Sequence, residues 1–300
     1  MSKKLKIAII GIGRVGSAMA IALDNAGYQI SCLLDKDPSR KHSFPIKGEV
    51  KILSNKLSNL PSVDIVLLAV PDDEIQVVVA ELVAIYKNRI LSNFLFHTSG
   101  ALSSEVFQPL RKKSAIQCAS LHPIQTFPGN KDDYKKLRNI YFGIEGDDKA
   151  ILMAKNIIKS LGSRTLVIPK EFKPIYHLAC TIASNYLHTL VYLVIDLFKE
   201  LKLSEKEIID VIFPLISTTV KNIHKNGLEN TLTGPIARGD VGTVKKHLEI
   251  LSRQFPQYEV VYKQLGQIAL AYPTVRENVF SSKYKELKKY LDSTENKTNE

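Results

Sequence analysis

A glycine-rich turn between an apolar strand pattern and an apolar helix pattern constrains this chain more than any other feature. The segment LKIAIIGIGRVGSAMAIALDNAGY places Gly11, Gly13 and Gly16 at this turn. The first glycine allows a tight turn, the second lets the backbone approach a phosphate, and the third lets the helix pack closely on the strand. The helix N-terminus adds free N–H groups and partial positive charge. The spacing predicts a dinucleotide pyrophosphate site that includes Arg14 and Val15.

An acidic residue follows at the end of the second predicted strand. Asp35 is placed to accept hydrogen bonds from the ribose hydroxyls of the adenosine, which favours NAD over NADP. The residues after it offer an alternative, because Lys36, Ser39, Arg40 and Lys41 could instead hold a 2′-phosphate. The sequence therefore predicts NAD or NADP as the cofactor, with a slight preference for NAD.

The first 169 residues alternate strand patterns with helix patterns. Apolar runs such as VDIVLLAV, NFLFH, AIQCASLH and RTLVIP are typical of buried strands, and the alternation predicts a doubly wound α/β sheet of about eight strands. Ligands bind at the carboxyl ends of such strands. The candidate binding residues at these ends are Val70 and Pro71, Ser99 and Gly100, and His122.

Each of these polar residues also has an ordinary structural interpretation. Ser99 could contact a substrate or be a turn hydroxyl, and Gly100 after it permits close approach of the backbone. His97 follows an apolar strand and could be a core histidine. A metal site built from His97, His122 and His177 is a further alternative, but no H-x-x-x-H spacing supports it, and we predict no metal.

The second half of the chain has helical periods and few strand signals. We expect helices over roughly 172–201, 204–225, 240–252 and 256–275, the second of them starting at a Ser-x-x-Glu capping box at Ser204. The predicted organisation is a Rossmann domain over 1–169, an all-α helical domain for substrate binding and dimerisation over 170–282, and a frayed polar tail over 283–300.

The first of these helices is apolar enough to suggest a membrane span. On a regular α-helix, however, His177, Thr181, Ser184 and His188 form a polar stripe with Asn185 at its rim. A membrane span would have to hide this stripe, so we predict no membrane association. Two interpretations remain. The helix either lies in the core with its polar groups bonded to neighbours, or it lines a cleft that faces the nucleotide domain.

The loop TLTGPIARGDVGTV places Arg238 alone among small residues before a predicted helix. A guanidinium group in this setting suits a carboxylate or a phosphate, because it can donate two parallel hydrogen bonds. The alternative is that Arg238 pairs with Asp240 and fixes the loop.

Composition narrows the class of partner and the compartment. The net charge is +11, but the excess lysines are scattered, which favours attraction of small anions over binding of nucleic acid. The three cysteines are far apart and lack a C-x-x-C pair, as expected for reduced thiols in the cytoplasm.

Taken together, the motifs resemble a family of bacterial proteins that join a Rossmann-like NAD(P)-binding domain to a C-terminal helical domain of unknown function. The resemblance rests on GIGRVG, LLAVPDDEI, HTSGALSSE, SLHPIQTFP, YHLACTIASN and TGPIARGD, in that order, and reaches about residue 280. The organisation is similar to the wider superfamily of 6-phosphogluconate and β-hydroxyacid dehydrogenases, ketopantoate reductase, pyrroline-5-carboxylate reductase and prephenate dehydrogenase. The resemblance implies an oxidoreductase that dimerises through its helical domain.

The resemblance also implies roles for residues on the first helix of the second domain. In ketopantoate reductase this helix carries a catalytic lysine, with asparagines four and eight residues later. That pattern places His177 at the lysine, Thr181 at the first asparagine and Asn185 at the second. The lysine itself is missing there, although a histidine can replace it chemically because an imidazole titrates near neutrality.

The combined prediction is an NAD(P)-dependent oxidoreductase that transfers hydride between nicotinamide and a carbonyl, hydroxyl or imine carbon of a small anionic metabolite. His177 would be the general acid or base, with His122 in reserve. Asn185 would orient the substrate or the carboxamide, Ser99 would polarise the reacting oxygen, and Arg238 would hold the acid group. The alternative is a nucleotide-binding sensor or assembly protein that has lost its chemistry.

Overall fold

The structure is a computed structural model that describes residues 4–37, 46, 50, 52–86, 92–229 and 231–292. The chain divides into two compact units, Met1–Leu187 and His188–Glu300. The predicted class, a doubly wound α/β Rossmann sheet followed by an all-α helical region, is confirmed.

The first unit is built on one sheet, which has eight strands within the described residues, in the order β3, β2, β1, β4, β5, β6, β7, β8. All neighbouring pairs are parallel except β6 and β7, which are antiparallel. The strands are β1 (Lys6–Ile10), β2 (Gln29–Leu34), β3 (Ile52–Ser54), β4 (Ile65–Leu68), β5 (Phe94–His97), β6 (Gln117–Pro123), β7 (Tyr141–Gly146) and β8 (Arg164–Val167).

The strand order reverses between β1 and β4. The chain passes from β1 outward to β2 and β3, and then returns to the other side of β1 as β4. Ile10 pairs in register with Leu68, so the residues that follow both strands leave the sheet at the same edge. A reversal of this kind opens a crevice outside the carboxyl ends of the strands, which is where open α/β sheets bind ligands.

Helices cover both faces of the sheet, as a doubly wound fold requires. One face packs against α1 (Arg14–Asn25) and α4 (Asp148–Ser160), and the other against α2 (Asp72–Ile85) and the short α3 (Gln108–Arg111). Side chains alternate across β1, with Ile7 and Ile9 in the first core and Ala8 and Ile10 in the second. Because both faces are buried, the strands read as continuous apolar runs.

The long helical segment predicted over 172–201 is present, but it is not a regular α-helix. It comprises α5 (Lys173–Thr181), a π-helical turn at Ile182–Tyr186 and α6 (Leu187–Phe198). A π turn takes up about one extra residue, which rotates the residues after it by roughly 100° relative to those before it. The predicted polar stripe is therefore wrong beyond Thr181, because it assumed an unbroken α-helical period as far as His188.

Lys170–Leu201 is long and apolar enough to cross a membrane on length and composition. Its most apolar window has a mean hydropathy of 1.5, and none of that window is buried in the structure. The absence of membrane association stays a prediction.

The second unit contains the remaining helices. Ser204 caps α7 through the predicted capping box with Glu207, and Asp240 caps α8 by accepting from the Thr243 N–H. The helix predicted over 256–275 is divided, because Pro273 starts a new helix and disfavours helical backbone in the residue before it. The helices are α7 (Glu205–Asn226), α8 (Val241–Gln254), α9 (Pro256–Leu270), α10 (Pro273–Asn278) and α11 (Ser281–Asp292).

The C-terminal tail predicted from residue 283 is wrong as far as residue 292, because α11 occupies this stretch. Leu287 and Leu291 lie one turn apart on α11 and are buried with Val244 and Leu270 in the core of the second unit. A pair of leucines at this spacing is enough to anchor an otherwise polar helix. Residues 293–300 lie outside the described residues, and the predicted boundaries at 169 and 282 stay predictions.

Candidate active site

The glycine turn after β1 has the geometry that its sequence predicts. Gly11 has φ +90°, and a methyl group on it would lie 2.6 Å from the carbonyl oxygen of Ala69. A methyl group on Gly16 would lie 1.9 Å from the carbonyl oxygen of Gly11. Side chains at these two positions would separate β1, β4 and α1, so both glycines are required by the backbone packing.

The N-terminus of α1 opens beside this turn. Gly13 is the N-cap residue, and its lack of a side chain leaves the first N–H groups of α1 without a side-chain cap. The first turn contains no acidic residue, so it keeps the partial positive charge of a helix N-terminus. Gly13, Arg14 and Val15 all line the same cavity.

Asp35 lies at the end of β2, beside the glycine turn. One carboxylate oxygen accepts a hydrogen bond of 2.7 Å from the N–H of Ile12, and the other accepts one of 2.9 Å from the N–H of Asp37. These bonds fix the carboxylate at the edge of the cavity. The neighbouring Lys36 is paired with Glu74 at 2.5 Å. Ser39, Arg40 and Lys41, the other candidates for a 2′-phosphate, lie outside the described residues.

A cavity of about 630 Å³ runs along the carboxyl ends of the strands. This volume lies within the range of small-molecule and cofactor sites. The candidate residues from the sequence that line it are Gly11, Gly13, Arg14, Val15, Asp35, Val70, Pro71, Ser99, Gly100, His122 and His177. Gly16 lies behind the turn, where it supports the packing of α1.

Two imidazoles meet over Gly100 at the far end of this cavity. His122 comes from the end of β6 and His177 from α5, and their ring centres are 6.1 Å apart. A methyl group on Gly100 would lie 2.6 Å from Cδ2 of His177 and 3.0 Å from Nε2 of His122. Glycine at this position therefore lets both rings reach the cavity wall.

His122 is held as a neutral imidazole. Its Nδ1 atom lies 2.6 Å from the hydroxyl oxygen of Tyr176, whose ring packs edge-on against it. Burial, followed by the nearby charges of Lys173 and His177, lowers the pKa of His122 to about 4. At neutral pH this imidazole is uncharged. It can donate one hydrogen bond and accept another, but it carries no second proton to transfer.

Ser99 and His97 form the turn that carries Gly100. The Ser99 hydroxyl oxygen accepts hydrogen bonds from the N–H groups of Ala101 and Leu102, at 3.2 and 3.0 Å. The geometry is that of a turn hydroxyl, although Ser99 also lines the cavity. Nδ1 of His97 accepts from the Ser99 N–H, and its Nε2 lies 3.3 Å from the carbonyl oxygen of Ser103. Both His97 nitrogens are thus bonded within the protein, as expected of a core histidine.

Thr181, Asn185 and Arg238 do not line this cavity. Thr181 is half-buried at the end of α5, and Asn185 is exposed in the π turn that follows. Arg238 is an exposed residue of the second unit, in the loop before α8. Asp240 accepts hydrogen bonds from Thr243 as the helix cap, which lower the pKa of its carboxyl, and the nearby charge of Arg238 lowers this pKa further.

Within the part of the chain that the structure describes, no group of three or more His, Cys, Asp or Glu residues is arranged to hold a metal ion. Cys32 and Cys118 are buried free thiols, and Cys180 is a half-buried free thiol.

Two family models match the sequence in succession. Residues 1–123 match a Rossmann-like domain, and residues 140–269 match a domain of unknown function, DUF2520. The chain joins a Rossmann-like domain to a DUF2520 domain. The resemblance deduced from the six motifs is thereby confirmed. The DUF2520 match begins inside the sheet and ends at residue 269, so it includes β7, α4 and β8 as well as α5 to α8 and nearly all of α9.

Solved structures share this two-part organisation. A candidate NADP oxidoreductase from Bacteroides fragilis is 23% identical, with a TM-score of 0.71 over 88% of this chain and 97% of its own. A Thermotoga maritima protein is 28% identical, with a TM-score of 0.68 over 91% and 97%. An NADP-bound pyrroline carboxylate reductase from Plasmodium falciparum is 16% identical, with a TM-score of 0.54 over 95% and 98%. No curated protein matches the sequence.

The DUF2520 domain supplies a lysine that sequence reasoning missed. Lys173, at the start of α5, is only 1% exposed, and its ammonium group donates to the Ser120 hydroxyl at 2.6 Å and to the Ser99 carbonyl oxygen at 3.2 Å. Burial lowers its pKa to about 8. Lys173 thus lies one turn before His177, the position at which the resemblance implied a lysine.

A signal for this lysine was present in the DUF2520 sequence. Lys173 is the single lysine between residues 171 and 198, and it precedes His177 by four residues, which places both on one face of a helix. The sequence cannot show that the lysine is buried, because its two acceptors come from distant strands.

Proposed function

We propose that this protein is an NAD(P)-dependent oxidoreductase that transfers hydride between a nicotinamide ring and a small anionic metabolite. One observation carries the proposal: the glycine turn after β1 and the imidazoles of His122 and His177 line one cavity at the carboxyl ends of the strands. The fold shared with NADP-linked oxidoreductases supports it.

The residues present fit a dinucleotide. Gly13 and the first turn of α1 offer uncapped N–H groups for a pyrophosphate, and Asp35 offers a carboxylate for the adenosine ribose. Val70 and Pro71 line the passage between these groups and the histidines. When bound, the nicotinamide would supply or accept the hydride.

The chain's own residues would handle the accompanying proton. His177 lines the cavity and lacks the buried phenol partner that holds His122, so we assign the acid or base role to His177. His122 would hydrogen-bond the atom attached to the reacting carbon. Lys173 would act through the Ser99 carbonyl and Ser120, because its ammonium group is buried behind the cavity wall.

The cofactor preference rests on Asp35. A carboxylate at the ribose repels a 2′-phosphate, which favours NAD. The pairing of Lys36 with Glu74 supports the same preference, because it engages a cation that could otherwise hold the phosphate. The similar structures that carry NADP support the other cofactor.

The remaining assignments were made from the sequence and not from the geometry of the cavity. Arg238 lies in the second unit, and Thr181 and Asn185 lie outside the cavity, so the proposed site does not include these three residues. The exposed apolar side chains of α7, among them Phe213 at 65% and Leu215 at 70%, support a homodimer formed through the helical region. A cytoplasmic location, no membrane association and no nucleic-acid partner complete the proposal.

Isothermal titration calorimetry with NADH and NADPH tests the proposal. We expect saturable binding of at least one nucleotide and its loss in Gly13→Asp, whose carboxylate would lie where the pyrophosphate binds. Gly242→Asp is the matched control, since it places the same side chain in the first turn of α8 in the second unit. Absence of binding to both nucleotides would remove the oxidoreductase proposal.

The sensor alternative differs from the enzyme in a second measurement. A sensor would bind the nucleotide and show no turnover with any 2-oxo acid, aldehyde, hydroxy acid or imino acid. The apparent loss of the superfamily lysine favoured this alternative. Lys173, buried beside the proposed reaction centre, supports the enzyme instead.

A further inference from the structure

The Tyr176–His122 pair is packed between Gly143 on one side and Gly100 on the other. The phenol approaches Nδ1 of His122 at 2.6 Å, with the rings perpendicular and their centres 5.7 Å apart. Gly143 on β7 makes room for it, because a methyl group there would lie 2.3 Å from the Tyr176 hydroxyl. The opposite edge of the imidazole, with Nε2, faces Gly100 and the cavity.

The length of this bond indicates which atom donates. N–H donors bond oxygen at about 2.7 to 3.2 Å, whereas O–H donors reach about 2.5 Å. A separation of 2.6 Å is short for an N–H donor, which favours the phenol as donor and Nδ1 as acceptor. Burial, followed by the charge of Lys173, lowers the pKa of His122, which leaves one ring nitrogen without a proton and able to accept.

We propose that Tyr176 donates its hydroxyl hydrogen to Nδ1 of His122 and thereby fixes the tautomer with the proton on Nε2, so that the site accepts a carbonyl or hydroxyl substrate and rejects a protonated imine. A neutral imidazole carries one N–H, and an acceptor at Nδ1 leaves Nε2 as the donor. Tyr176 is a positioning residue, because it acts through His122.

The choice of substrate follows from what each reacting group can accept. A carbonyl oxygen has lone pairs for the Nε2–H of His122, and this hydrogen bond strengthens as negative charge develops on the oxygen during reduction. A protonated imine nitrogen has no lone pair and is itself an N–H donor. Beside the Nε2–H of His122 it would place two donors together with no acceptor between them. This inference rests on the proposed function and narrows its substrate from three classes to two.

Long-range ¹H–¹⁵N NMR correlations of the full chain with ¹⁵N-labelled histidine report the tautomer directly. His122→Gln assigns the resonance, and at pH 7 we expect His122 to show a protonated Nε2 and a bare Nδ1. In Tyr176→Phe this preference is lost and the two tautomers mix. A protonated Nδ1 in the wild type, or an unchanged spectrum in Tyr176→Phe, would overturn the proposal.

The second unit provides a matched control. Tyr262 bonds Nδ1 of His247 at 2.9 Å with the same edge-on geometry, and neither residue lines the cavity. Tyr262→Phe should change the resonances of His247 and leave those of His122 as they are in the wild type. A change at His122 in this variant would show that the NMR response is not specific to the Tyr176 bond, and would count against the assignment.

Activity separates this inference from the proposed function. With NADH or NADPH, we expect turnover of 2-oxo acids or aldehydes and a kcat about tenfold lower in Tyr176→Phe with KM unchanged, a smaller loss than the roughly 10²-fold cost of removing an oxyanion donor. Faster turnover of cyclic imino acids than of carbonyls would overturn the substrate class. If neither nucleotide binds, the proposed function fails while the NMR result still decides the tautomer.

Discussion

The ammonium group of Lys173 lies 2.6 Å from the hydroxyl oxygen of Ser120, and both side chains are buried. Burying a cation with two neutral acceptors costs free energy, which is why the pKa of Lys173 falls to about 8. A lysine buried at such a cost points to a role in the site.

The first prediction concerns alkaline pH. The unfolded chain holds the Lys173 proton up to about pH 10.5, whereas the folded chain releases it near pH 8, so the unfolded state binds more protons between these values. The free energy of unfolding should therefore rise from pH 8 to 10 by about 2 kcal/mol more in the wild type than in Lys173→Met. Urea unfolding of both proteins at the two pH values measures this, and equal changes would contradict it.

The second prediction concerns acid. Burial, with the charge of Lys173 second, lowers the pKa of His97 to about 3, so the unfolded chain takes up this proton below about pH 6.5 while the folded chain does not. Stability should fall between pH 7 and 5, and the neutral His97 should account for about 2 kcal/mol of that fall. The slope of the unfolding free energy against pH should be smaller in His97→Gln. It should be unchanged in His224→Gln, an exposed control. Equal slopes in all three proteins would show that His97 titrates normally.

The third prediction concerns Gly100. A methyl group there would lie 2.6 Å from His177 and 2.9 Å from His122, so Gly100→Ala must displace both rings. We expect shifted His122 and His177 resonances and a loss of stability of about 1 to 3 kcal/mol. In Gly242→Ala the nearest atom is 3.8 Å away, which makes it the control. An unperturbed spectrum for Gly100→Ala would contradict the close packing of the rings.

The fourth prediction concerns the cofactor. Asp35→Asn removes a negative charge while keeping an oxygen that can accept from the Ile12 N–H. Less repulsion of a 2′-phosphate should shift the ratio of NADPH to NADH affinity toward NADPH by about tenfold. Calorimetric titration of both nucleotides measures the ratio, and the exposed Asp148→Asn should leave it unchanged. If this affinity ratio does not change in Asp35→Asn, the adenosine ribose does not lie beside Asp35.

The fifth prediction concerns assembly. Phe213 on α7 is 65% exposed, and burying it against a second copy would stabilise a dimer. Sedimentation velocity should show a dimer for the wild type and a dissociation constant at least about tenfold higher for Phe213→Glu. Leu152→Glu, which alters a leucine of α4 that is 62% exposed, should still form the dimer. A monomeric wild type would contradict the proposed homodimer.

The sheet could be predicted because its signals are local. Glycine spacing, continuous apolar strands and an acidic residue at the end of β2 can each be recognised within a short stretch of sequence. Together they indicated the eight strands and the edge at which the cavity lies. Gly11, Asp35, Gly100 and His122 were identified from their positions at the strand ends. All four line the cavity.

The Lys173 and Tyr176 contacts could not be predicted in the same way. Lys173 bonds to residues 53 and 74 positions away, and Tyr176 bonds to His122 across 54 positions. Contacts of this range follow from how α5 packs on the sheet, which periodicity does not specify. For Ser99 the structure favours the second of the two interpretations, the turn hydroxyl, since two N–H groups of its own turn donate to its hydroxyl oxygen.

The π turn at Ile182–Tyr186 limits how far relatives can be compared with this chain by residue counting. Matching side chains four and eight positions after a catalytic lysine assumes that both helices wind at the same rate. Here the winding changes after Thr181, so an ungapped alignment pairs side chains that point in different directions. A relative whose helix is regular should be superimposed in space before any role is assigned beyond this point, and a single-residue gap near position 182 is then the expected result.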